Sequence, residues 1–81
     1  MDIKEAFGAR VKELRLQKKD KLSQEQLAAD AGIDRTYMTS VENGKRNISI
    51  VNQEKIMCAL GISIAKFFDS ELFTSKKRSK K

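Results

Sequence analysis

The stretch DRTYMTSVENGKRNIS, residues 34–49, carries the side chains of this chain best suited to recognition chemistry. Arg35 holds a planar fork of donors that matches O6 and N7 of guanine, a pairing worth about 1–3 kcal/mol of base discrimination. Thr36 and Ser40 can bond base edges or phosphate, and the Thr36 methyl can meet a thymine methyl. Tyr37 combines an apolar ring with a hydroxyl that can reach phosphate, and Thr39 shares the same outward arc. Asn43, Lys45, Arg46 and Asn47 surround a glycine turn and are placed to hold an opposing phosphate backbone. Arg46 could instead touch a base edge, and both options stay open at this level. Gln24 lies upstream at the start of a helix, where free backbone N–H groups and the helix dipole favour an anion.

Catalytic chemistry has little to draw on. There is no histidine and one cysteine, which excludes Cys/His zinc sites and His-activated nucleophiles. Carboxylates are scattered singly, with no pair suited to acid and base roles, and no glycine-rich phosphate loop occurs. Cys58, within IMCALG, reads as a small buried apolar group. The expectation is a non-enzyme without metal or cofactor.

Helical spacing supplies the elements that must position the recognition side chains. Ile3, Phe7, Val11 and Leu14 step by four, four and three, predicting an amphipathic helix over about 2–18. The run KKDK at 18–21 ends it. Ser23 is an N-cap candidate, with Gln26 completing a capping box. A second helix over about 23–30 turns Leu27, Ala28 and Ala31 inward and stops at Gly32. Asp34 caps a third helix, about 34–43, anchored by Met38 and Val41 and stopped by Gly44. A fourth runs from Ser49 to about Leu60 with Ile50, Met57 and Leu60 on one stripe. A fifth, about 63–73, carries Ile64, Phe67, Phe68, Leu72 and Phe73. The fold class is all-α, with five helices and a helix-turn-helix at the second and third.

The helix-turn-helix inference is specific because several demands coincide in QEQLAADAGIDRTYMTSV. Leu27 and Ala31 must face inward, Ala28 must be small at the crossing, Gly32 must turn, and Ile33, Met38 and Val41 must fill the angle. All are met. In such a unit the start of the second helix points into the major groove.

Charge placement refines this picture. The chain of 81 residues carries a net charge of +6, but five of its seventeen Lys and Arg lie in the last six residues. Residues 1–75 therefore hold twelve basic against eleven acidic groups, a balance of +1. The sequence divides into a domain over 1–73 and a basic tail over 74–81, a solvated end that attracts polyanions without selectivity. No apolar run approaches the roughly 18 residues of a membrane span, and no signal-peptide pattern opens the chain. A cytoplasmic protein without a membrane partner is expected.

Residues 8–62 resemble the helix-turn-helix domain of the phage-repressor family (Cro/CI, Xre-type), in GARVKELR, LSQEQLAADAGI, VENGKRNISI and ALGIS. The resemblance implies that Arg15 and Glu42 form an internal ion pair, structural rather than DNA-reading. Within the family, DRTYMTSVENGKRNIS is most similar to the controller proteins of restriction–modification systems. This implies that Arg35, Thr36, Tyr37 and Arg46 are the principal DNA contacts, and that a dimer binds palindromic operators in double-stranded DNA, with RNA polymerase as a further partner. It also implies activation at low concentration and repression at high. Gln53 stands where the family often has Leu, and the tail is longer than in a minimal controller.

The apolar groups of the fifth helix argue for a homodimer on their own account, since they exceed what so small a monomer can bury. Val51 and Cys58, on a second stripe of the fourth helix, would join Ile64, Phe67, Phe68 and Leu72 in that interface. Two alternatives share the same architecture: an antitoxin-like autoregulatory protein, or another phage-type repressor whose main partner is a protein, and a helix-turn-helix module used only for assembly.

Overall fold

The computed structural model describes residues 2–74. The basic stretch over 75–81, and with it nearly all of the expected tail, lies outside the described residues. Five α-helices follow in order: α1 (Ile3–Leu16), α2 (Gln24–Ala31), α3 (Arg35–Glu42), α4 (Ile50–Leu60) and α5 (Ile64–Phe68), then a 3₁₀ turn over Glu71–Phe73. No strand occurs among the described residues, and the expected all-α, five-helix class holds.

Local chemistry sets the boundaries. A capping box opens α1: Asp2 Oδ1 accepts from the Glu5 N–H at 2.9 Å, and Glu5 Oε1 accepts from the Asp2 N–H at 3.1 Å. The box expected at Ser23 closes on one side only. Ser23 Oγ accepts from the Gln26 N–H at 3.0 Å, but the Gln26 side chain donates to Asp30 instead. Ser49 and Ser63 cap α4 and α5 in the same way. Gly32 ends α2 at φ 69, a left-handed conformation that lacks a steric penalty only without a Cβ.

Phe7, Val11, Leu27, Met38, Val41, Ile56, Leu60 and Phe67 form the centre of the core. Three expectations are corrected here. Ile3 and Ile50, the first residues of α1 and α4, are 57% and 79% exposed. Ile56 takes the buried place assigned to Ile50, so the inner stripe of α4 is Ile56, Met57 and Leu60. The fifth helix does not run to residue 73. It stops at Phe68, Ser70 turns extended, and Ser70 Oγ accepts from the Leu72 N–H at 3.1 Å. A continuous helix would carry Phe73 about 7 Å along the axis from Phe68. The break instead brings their ring centroids to 4.8 Å.

Phe67 lies 4.8 Å from Phe7 and 5.0 Å from Phe68, so all four phenylalanines of the chain share one cluster. Arg10 fastens α5 to α1, with Nε donating to the Phe67 carbonyl at 2.7 Å and Nη2 to that of Lys66 at 2.8 Å. Gln53, the departure noted in α4, donates through Nε2 to the Ile48 carbonyl at 3.0 Å and so holds the loop before its own helix.

Candidate nucleic-acid interface

The orientation of α3 follows from which side it buries. Met38 is 0% and Val41 1% exposed, and this pair fixes the inner face. Arg35 and Thr36 are then exposed at the first turn, with Tyr37, Thr39 and Ser40 half-buried along the flank. Asp34 Oδ2 accepts from the Thr36 N–H at 2.9 Å and sets where that turn begins. Asn43, Lys45, Arg46 and Asn47 are exposed in the segment after α3. Of the set expected to face outward, Arg35, Thr36, Asn43, Lys45, Arg46 and Asn47 are exposed, whereas Tyr37, Thr39 and Ser40 are only partly so.

A buried polar network keeps this face in register. Glu42, at the end of α3, receives the Arg15 guanidinium bidentately, from Nε at 2.7 Å and Nη2 at 2.9 Å. Arg15 Nη1 also donates to the Leu22 carbonyl at 3.0 Å, tying in the approach to α2. Both side chains are largely shielded, at 11% and 3% exposure, where paired hydrogen bonds must offset the loss of water. The ion pair implied by the family resemblance is present.

Gln24 is part of the same network. Its Nε2 donates to Glu42 Oε1 at 3.1 Å, and its Oε1 accepts from Thr39 Oγ1 at 2.7 Å. Thr39 also approaches the Arg35 carbonyl at 3.1 Å, so its hydroxyl proton is committed within the protein. Gln24 and Thr39 thus brace α2 against α3. The Ser40 hydroxyl bonds back to the Thr36 carbonyl at 3.3 Å.

Tyr37 and Arg46 form a pair that sequence spacing does not announce. The Arg46 guanidinium carbon lies 4.5 Å from the Tyr37 ring centroid, within cation–π range. Asn52 Nδ2, on α4, donates to the Tyr37 hydroxyl at 3.2 Å. Asn52 and Arg10 were both missed by sequence reading, and no local signal marks either.

The proposed dimer groups separate into two kinds. Val51 and Ile64 are 56% and 59% exposed, and Cys58 is exposed as well, not the buried group that IMCALG suggested. Phe67 is 0% exposed: it completes the monomer core and leaves the interface set. Phe68 packs against that core and is half-buried, as is Leu72. Among the described residues no cluster of His, Cys, Asp or Glu suits a metal ion, and no helix is long and apolar enough to cross a membrane.

Comparison with known proteins places this geometry. A helix-turn-helix family model matches residues 11–67, more than half of the chain. Control protein C.MunI of a Mycoplasma species is 55% identical over 67 residues, 83% of this chain and 89% of that protein. The crystal structure of the restriction–modification controller protein C.AhdI from Aeromonas hydrophila superposes with a TM-score of 0.74 at 46% identity. It covers 80% of this chain and 96% of its own. The structure of C.Esp1396I bound to a 25 base pair operator site superposes at 0.77 with 33% identity, over 85% of this chain and 88% of that one.

Proposed function

The chain belongs to the helix-turn-helix family, and on that premise we propose that it is a sequence-specific transcriptional regulator, a homodimeric controller protein of a restriction–modification system acting on palindromic operators. One observation carries this: Arg35 and Thr36 project from the start of a helix whose inner face, Met38 and Val41, is locked into the core. Such a helix can enter the major groove without disturbing the fold.

In this reading Arg35 pairs with guanine, and Thr36, Tyr37 and Ser40 contact neighbouring edges or phosphates. Asn43, Lys45, Arg46 and Asn47 reach the backbone beside the groove. Gln24 and Thr39 serve chiefly as braces, leaving the N-terminal turn of α2 to face phosphate. Val51, Cys58 and Ile64 form the centre of a two-fold interface, rimmed by Phe68 and Leu72. A dimer of this kind sets two recognition helices about 34 Å apart, one turn of DNA. The segment over 74–81 adds sequence-independent affinity. RNA polymerase is the partner through which bound dimer raises or lowers transcription in the cytoplasm. No enzymatic step is assigned.

The test is selection of bound duplexes from a random pool by the full chain, followed by binding of Arg35→Ala to the selected DNA. A palindromic consensus is expected, with Arg35→Ala losing the preference while remaining a folded dimer. Only non-selective binding that vanished on deleting residues 74–81 would refute the function.

A further inference from the structure

We propose that Asn52 is a positioning residue for base discrimination: it sets the pose of the Tyr37 ring and, through that ring, of Arg46. Its consequence for DNA rests on the regulator function proposed above; its structural half does not.

Tyr37 is held at two places by two other segments. Its hydroxyl accepts from Asn52 Nδ2 at 3.2 Å, and one ring face is covered by the Arg46 guanidinium at 4.5 Å. A tyrosine side chain has only two soft torsions, so fixing its tip removes most of the swing of the ring. The guanidinium stacked on that ring is confined in turn. Asn52 is a fitting anchor because it is half-buried in the first turn of α4, its own N–H bonded to Ser49 Oγ at 3.1 Å. Residues of α3, of the loop after it and of α4 are thereby joined into one reading edge.

The polarity of the bond has a further effect. Because Asn52 donates, the tyrosine oxygen accepts and its own proton is free to point outward. A hydroxyl that accepts one bond becomes a better donor in the next. Asn52 therefore both aims the Tyr37 hydroxyl and strengthens it toward an acceptor on DNA, without touching DNA itself.

The chain offers a direct reporter, since Tyr37 is its one tyrosine and it contains no tryptophan. In full-length Asn52→Ala the tyrosine band in near-UV circular dichroism should lose much of its intensity, while the far-UV helix signal stays at the wild-type level. The DNA probes are the duplex that the wild type selects from a random pool and a scrambled duplex of equal length. Asn52→Ala should lower the preference for the selected duplex by roughly three- to tenfold, the range open to one lost hydrogen bond. In a Tyr37→Phe background, Asn52→Ala should have no further effect. An unchanged tyrosine band overturns the proposal, as does an equal loss of preference in the Tyr37→Phe background. A pool without consensus overturns the regulator function and the discriminating role with it. That outcome is distinct from failure of the Asn52 contact, which the tyrosine band reads without DNA.

Discussion

Replacing Gly8 with alanine should reverse the usual sign of such a change. Alanine in a helix interior is normally favoured over glycine by about 0.5–1 kcal/mol. Gly8, however, is buried in α1 where that helix crosses α3. A Cβ there would overlap the Val41 carbonyl oxygen and lie 3.0 Å from the Glu42 oxygen and 3.1 Å from its carbonyl carbon. These are backbone atoms, and Glu42 is also clamped by Arg15, so α3 cannot slide away without breaking that pair. Overpacking of this kind costs about 1–3 kcal/mol, and backbone obstruction places Gly8→Ala near the upper end. After the propensity gain, a net loss of about 2 kcal/mol remains. For a domain of this size that lowers Tm by about 8–16 °C. Thermal melts followed by circular dichroism at one fixed protein concentration measure it, since a dimer melts in a concentration-dependent way. Gly32→Ala is the comparison: no atom lies within 4 Å of its added Cβ, so only the left-handed penalty of about 1–2 kcal/mol applies. A Gly8→Ala protein that melted at or above the wild-type temperature would refute the claim that α1 and α3 touch through backbone.

Glu42→Ala strips Arg15 of its two carboxylate hydrogen bonds, leaving the one to the Leu22 carbonyl, and should lower stability by about 3–5 kcal/mol, seen as a lower urea midpoint with an unchanged slope. A shift under about 1 kcal/mol would mean that the pair behaves as an exposed one. Arg10→Ala releases the carbonyls of Phe67 and Lys66, so sedimentation should report a weaker dimer, with Arg10→Lys recovering part of the loss. Unaltered self-association would separate α5 placement from dimerisation. Lys21→Gly removes a left-handed residue at φ 52. Relief of about 1–2 kcal/mol against about 0.5–1 kcal/mol of added chain freedom leaves a gain of about 0.5–1 kcal/mol, visible as a higher Tm.

What the sequence made legible was set by local chemistry. Ser23, Asp34, Ser49 and Ser63 announce helix starts because a short oxygen-bearing side chain can reach an N–H two or three residues on. The outward arc of α3 follows equally from Met38 and Val41, three residues apart on one face. Interactions that depend on how helices cross were not legible. Arg10 meets the Phe67 carbonyl 57 residues away, and Asn52 meets Tyr37 15 residues away. The aromatic surplus of the last helix misled for a related reason. Counting large apolar groups does not say which ones a chain reversal will fold inward. The kink at Asp69–Ser70 folds Phe73 back onto the core, and the large apolar groups left exposed are the aliphatic Ile3, Leu16, Ile50, Val51 and Ile64.

The phenylalanine cluster links the two ends of the described fold: Phe7 comes from the first helix, and Phe67, Phe68 and Phe73 from the last segments. A chain emerging from the ribosome cannot close this cluster until residues 67–73 are out. Until then Phe7 lacks its phenylalanine partners, and α1 is joined to α3 through the Gly8 crossing and the Arg15–Glu42 pair. The aromatic end of the core is therefore the last part of the described fold that synthesis can complete.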